Sequence, residues 1–180
     1  MATFQKDGLW VQGGEGALAN VSEDTPFVPG QVGRVMSSRK SDSKVPRFYQ
    51  YVQRYTTETS PAKSGGTAFW QDLDDFVVTP DSARAIGGTT QPLVAGVFLG
   101  TSPAAGKYGF VQVDGIASVA ITGTNLIGVP LVVSGTVGNA TGIATDAQAQ
   151  VLPFAYLLAS TTTATGTAFS AKLDCVRNGW

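Results

Sequence analysis

From Lys107 to Thr122 the chain alternates apolar and polar side chains with a period of two, and this limits what it can fold into more than any other feature. Val111 and Val113 fall on one side, with Tyr108, Phe110, Gln112 and Asp114 on the other. Beyond Asp114-Gly115 the apolar side resumes at Ala117, Val119 and Ile121, with Ser118, Ala120 and Thr122 opposite. Successive side chains of a strand point to opposite faces, so the pattern predicts strands with one face in a core. Asp114-Gly115 reads as a tight reversal or a bulge, because glycine takes positive φ at no steric cost. The expectation is a central hairpin that carries no chemistry.

Further strands are expected on either side. Arg47–Tyr55 sets Tyr49, Tyr51 and Tyr55 on one face against Phe48, Gln50, Val52 and Arg54 on the other, a pattern of aromatic and β-branched residues that favours a pleated surface. The tyrosine row suits either sugar stacking or cross-strand packing. Two short strands, 67–71 and 76–79, flank Asp72-Leu-Asp-Asp75, which reads as an acidic hairpin turn. Its three carboxylates lack the twelve-residue loop, the glycine and the closing glutamate of an EF-hand. Residues 92–100 form a continuous apolar run bounded by Pro92 and Gly100, a buried strand too short for a membrane span. Past the central stretch, Pro130 suits a strand start or an edge, and residues 135–150 read as loop. The chain closes on an apolar run at 151–159, a threonine-rich β-compatible run at 161–167, and a last strand with Phe169, Leu173 and Cys175 inward. Helical periodicity is confined to a turn or so near 146–150, and no repeat of fixed length occurs. The predicted fold is all-β: a single antiparallel β-sandwich or barrel-like domain over residues 47–180, preceded by an extended N-terminal arm and basic loop over residues 1–46.

Chemistry is limited by what is missing. The chain has no histidine and one cysteine, Cys175, so Ser-His-Asp and Cys-His catalysis, histidine-bound zinc and an intrachain disulfide are all excluded. No phosphate-binding glycine loop occurs. The remaining carboxylates, serines, lysines and tyrosines form no recognisable constellation, so neither an enzyme nor a cofactor is expected. No basic-then-apolar leader and no long apolar run is present, which predicts a protein made in a cytoplasm and kept out of membranes. Only 14% of residues are charged, and 22 glycines with many Thr, Ser and Ala stand in their place. Such a surface suits heavy subunit contact, and also ordinary secreted β-proteins.

The net charge of −1 gives no global field toward nucleic acid or an anionic membrane. Residues 34–54 nevertheless hold Arg34, Arg39, Lys40, Lys44, Arg47 and Arg54 against Asp42 alone. Residues 37–44 read as a loop that is either solvated or placed against an acidic or phosphate-bearing partner. In the arm, Phe4, Trp10 and Phe27 are apolar anchors expected to dock on the body or on a neighbour.

The order of strand cores is a familiar one: Tyr49–Gln53, then Phe69–Thr79, then Leu93–Leu99, then Ala104–Gly115. Over residues 47–122 the chain resembles the small β-rich decoration or cement proteins on the capsid exterior of tailed bacteriophages. The resemblance implies a virion structural protein without catalytic residues, which binds the assembled lattice of major capsid protein and associates with itself, as a homotrimer. Such a task is met by many shallow contacts repeated by symmetry. Phe4, Trp10 and Phe27 would then anchor the arm on a neighbour, and Arg34, Arg39, Lys40 and Lys44 would meet acidic patches on the shell. The competing reading is a carbohydrate-binding or adhesin-like module, in a head fibre or a tail, that displays the tyrosine row or Trp70.

Overall fold

In a computed structural model the described residues form twelve strands and a 3₁₀ turn at Ser82–Arg84. The structure describes residues 3–6, 9–12, 32–36, 47–60, 63–99, 103–134, 137–143 and 153–175. In chain order the strands are β1 (Thr3–Lys6), β2 (Leu9–Gln12), β3 (Val32–Met36), β4 (Arg47–Arg54), β5 (Thr67–Asp72) and β6 (Val77–Thr79). They continue with β7 (Val94–Phe98), β8 (Tyr108–Asn125), β9 (Pro130–Val133), β10 (Ala140–Gly142), β11 (Ala155–Leu157) and β12 (Thr161–Asp174).

The fold is all-β as expected, and its centre is β8. The expected hairpin at Asp114-Gly115 is instead one unbroken strand of 18 residues. The bulge alternative is the one realised. Phe48 pairs with Asp114 while Tyr49 pairs with Gln112, so Val113 is an extra residue on β8. Gly115 supplies the positive φ of 91° that lets the strand kink and continue. Gln112 spans the kink by donating to the carbonyls of Asp114 and Ile116, both at 3.0 Å. Asp114 accepts the Gly115 amide at 2.6 Å and the Lys172 ammonium from β12.

The kink lets β8 serve two closed rings. Its first half pairs with β4 on one edge and β7 on the other, and β5 and β6 complete the circuit β8-β7-β5-β6-β4. Its second half pairs with β12 and β10, and β9 and β11 complete the circuit β8-β12-β11-β9-β10. A ring with an odd number of strands cannot alternate direction all the way round. Each circuit therefore closes on one parallel pair, β4 with β6 and β10 with β8, rather than being antiparallel throughout. Strand β10 falls inside the stretch expected to be loop.

One core runs through both rings. Phe69, Val97, Phe98 and Val111 come to it from strands of the first, and Ile121, Leu131, Phe154, Leu157 and Leu173 from the second or its adjoining segments. The rings are joined at residues 65–67: Gly65 donates to Phe98 O at 3.0 Å and accepts from Ala120 N at 2.8 Å, while Thr67 N reaches Gly138 O at 3.0 Å. Cys175 is buried at the end of β12, and burial pushes its thiol well above the ordinary range. Strands β3, β1 and β2 extend the sheet outward from β4.

Candidate interaction surface

Of the residues expected to meet partners, Phe4 lies on β1, Trp10 on β2 and Arg34 on β3. The register lines up Trp10 with Gln5, and Gln5 with Arg34, in one cross-strand row. Phe27, Arg39, Lys40 and Lys44 lie outside the described residues. Arg54, counted with the basic segment, belongs to the interior. Its guanidinium donates from Nη1 to Pro103 O at 2.8 Å and from Nη2 to Ser60 O at 2.5 Å.

Two of the three tyrosines of the row are buried, and Tyr55 is half-buried. Tyr49 and Tyr51 are 0% and 1% exposed, and the Tyr51 ring stacks on Tyr108 at 5.7 Å and tilts against Phe110 at 5.0 Å. Trp70 packs edge-on to Phe76 at 6.2 Å, and Tyr55 lies under the Arg84 guanidinium at 5.7 Å. Tyr51, Tyr108 and Phe110 thus share one face of the β4–β8 pair, and Trp70 belongs to the core cluster; Tyr49, Tyr51 and Trp70 are buried and offer no open face to a sugar, while Tyr55 and Tyr108 are half-buried. The acidic turn follows its expected form: Asp72 Oδ1 accepts from the amides of Asp74 at 2.9 Å and Asp75 at 3.3 Å.

A buried carboxylate ties down the loop after β4. Glu58 accepts from Ser60 N at 2.7 Å and from the Thr79 hydroxyl, and Thr79 Oγ1 in turn accepts from Asp81 N at 3.0 Å. Burial pushes the Glu58 carboxyl up, but the hydrogen bonds from Thr79 and Ser60 and the Arg84 charge outweigh it and hold the group below its ordinary 4.5. A depressed folded-state pKa adds stability in full above the unfolded value, and that stability is lost as pH falls through the folded one. Glu58→Gln is therefore expected to be less stable than wild type at neutral pH, with the gap closing below about pH 4.5. Urea midpoints measured across pH check this, and parallel profiles would contradict it.

Charge is distributed unevenly between the rings. The first holds or adjoins Arg47, Arg54, Glu58, Lys63, Asp72, Asp74, Asp75, Asp81, Arg84 and Lys107. Between Asp114 and Lys172 the sequence has one charged residue, Asp146, which lies outside the described residues. Asp114 and Lys172 bond each other where the rings meet. The second ring also carries the most exposed large apolar side chains among the described residues, Leu126 at 74% and Ile127 at 66%. They sit in the turn from β8 to β9, which is held firmly. Asn125 donates to Thr122 O and Thr161 Oγ1 and accepts from Gly142 N, while Gly128 N donates to Leu157 O at 2.7 Å. Ile127 N reaches Ser160 Oγ at 3.2 Å, so the turn after β11 lies alongside and adds exposed Leu158. Tyr156, also exposed, stands two residues back on β11, between Pro130 and Lys172 in register.

Sequence reasoning missed these four residues, although two signals were present. One is the long uncharged run. The other is a Leu-Ile pair inside a turn bounded by Asn125 and Gly128, where polar residues are the rule.

The geometry defines an all-β body of two small rings sharing a strand, with an apolar edge at one end. No family model matches the chain, and no curated protein matches it. Among solved structures, it is similar to the head fibre gp8.5 N base of bacteriophage phi29, with a TM-score of 0.46 and 12% identity over 71% of this chain and 93% of that one.

Proposed function

We propose that the protein is a structural component of a tailed-phage particle, made in the host cytoplasm and seated on the capsid exterior as a decoration protein. The observation that supports this best is how the strands carrying the sequence resemblance are used. Residues 47–122 build the first ring and most of the shared strand, and their aromatics are spent on packing. A carbohydrate-binding module needs such rings at its surface, and Tyr49, Tyr51 and Trp70 are buried. A rigid body of this kind contributes shape and repeated shallow contact.

The proposed contact with the capsid lattice runs through the charged side of the molecule. Arg34 on β3, next to the first ring, and Arg39, Lys40 and Lys44 would face acidic patches on the shell, without cofactor or catalysis. Arg54 is spent internally and takes no part. The reading predicts that the chain is a stoichiometric component of purified particles of the phage that encodes it. Quantitative peptide mass spectrometry of density-banded particles tests this; absence of the chain from intact particles would overturn it.

A further inference from the structure

We infer that residues 13–31 dock on the aromatic face of β4 and β8 of their own chain, with Phe27 as the apolar anchor against Tyr49, Tyr51 and Phe110. On this arrangement the N-terminal arm is part of its own body rather than a clasp on a neighbour. The inference is independent of head binding, and either can fail without the other.

Three observations carry it. The first is a face buried by something other than the core. Tyr49, Tyr51 and Phe110 are 0%, 1% and 3% exposed, and they lie on the side of β4 and β8 opposite Val52 and Val111. Val52 and Val111 belong to the core cluster of the two rings, and the three aromatics do not. Beside Tyr49 in register stands Gly33 of β3, which has no side chain to cover a ring. The second is topology. Strands β2 and β3 are both antiparallel to β1, so they run parallel to each other. Gln12 and Met36 both lie level with Thr3, so the chain leaving Gln12 must travel back along the sheet to begin β3 at Val32. Parallel strands of one sheet are joined by a crossover over its face. About five extended residues would span that length, and nineteen lie between the two strands. The third is charge. Residues 13–31 carry Glu15, Glu23 and Asp24 and no lysine or arginine, beside apolar Leu18, Val21, Phe27 and Val28. Arg47 falls on the same face as Tyr49 and Tyr51, so the segment complements that face in charge as well as in apolar character. Residues 37–46 would instead set Arg39 and Lys40 against Arg47. Arg34 pairs with Phe48 in register, on the opposite face, and stays outside this contact.

Photo-cross-linking of the full chain carrying Phe27→p-benzoylphenylalanine tests this. Irradiation at high dilution should give products of single-chain mass, 18.6 kDa, in which position 27 is joined to β4 or to the first half of β8. Products of two-chain mass that grow with concentration would put the segment on a neighbour and overturn the proposal. So would joining to any other strand, or none at all. Tyrosine nitration with tetranitromethane, read by peptide mass spectrometry, is a second measure. In wild type Tyr49 and Tyr51 should resist nitration while Tyr156, 42% exposed, reacts. In Phe27→Asp/Val28→Asp, with a far-ultraviolet circular dichroism spectrum like that of wild type, both should lose that protection and react as fast as Tyr156. Continued protection of both in the variant would overturn the proposal, and should the variant fail to fold, the cross-link decides.

Discussion

Tyr51→Ala should lower the stability of the protein by about 3–5 kcal/mol, the range for deleting a buried aromatic ring. The ring is fully enclosed and makes two aromatic contacts, with Tyr108 in stacked geometry and with Phe110 tilted at 52°. Phe110 lies directly across from Tyr51 in the β4–β8 ladder. Removing the ring leaves a void beneath both partners and loosens the pairing that sets the first half of β8. For a chain of this size the loss corresponds to a fall in Tm of roughly ten degrees. Tyr51→Phe retains the rings and should cost only about 1 kcal/mol. Thermal and urea unfolding of the two variants decides between packing and display. Were this row a sugar platform, truncating an exposed ring would change stability by no more than about 0.5 kcal/mol.

Gly65→Val should be comparably severe, by a different mechanism. Gly65 has a φ of +75°, and an added Cβ would lie 2.7 Å from the Ser118 carbonyl oxygen on β8. The obstacle is backbone and cannot rotate away, so relief requires moving the strand that both rings share. Positive φ for a β-branched residue costs about 1–3 kcal/mol, and the overpacking adds a similar amount. Gly88→Ala provides the comparison. Its φ is +61°, but nothing lies within 4 Å of the added Cβ, so only the backbone term applies, about 1 kcal/mol. Because residues 65–67 bond to both rings, Gly65→Val should also shift one common unfolding transition. Separate transitions by near-ultraviolet and far-ultraviolet circular dichroism would show that the rings unfold independently.

The sequence was most legible where one face of a strand meets the core. The alternation through Val111, Val113, Ala117, Val119 and Ile121 places all five in the core cluster. The all-apolar run around Val94–Phe98 is a strand buried on both faces. Asp114-Gly115 was ambiguous for a physical reason: a glycine at positive φ serves a hairpin and a bulge equally well, and long-range pairing chooses between them. Strand β10 was missed because three small residues, Ala140-Thr-Gly142, have no periodicity of their own. Their pairing partners on β9 and β8 define them. The parallel closures were equally hidden, since they follow from ring size rather than from any local signal. Burial of the tyrosine row was left open because alternation shows which residues share a face, not what covers it. The candidate surface was within reach of the sequence alone. Apolar residues were read as core-formers, and Leu126-Ile127 shows the exception, a turn where pinned hydrogen bonds keep two such residues outside.

The central claim is a body that attaches to the outside of a phage head through its charged side. Co-sedimentation of the purified chain with heads lacking it, across a salt series, tests this most directly. The account predicts saturable binding at low salt that weakens steadily as salt rises. Heads that pellet without the chain at every salt concentration would contradict it.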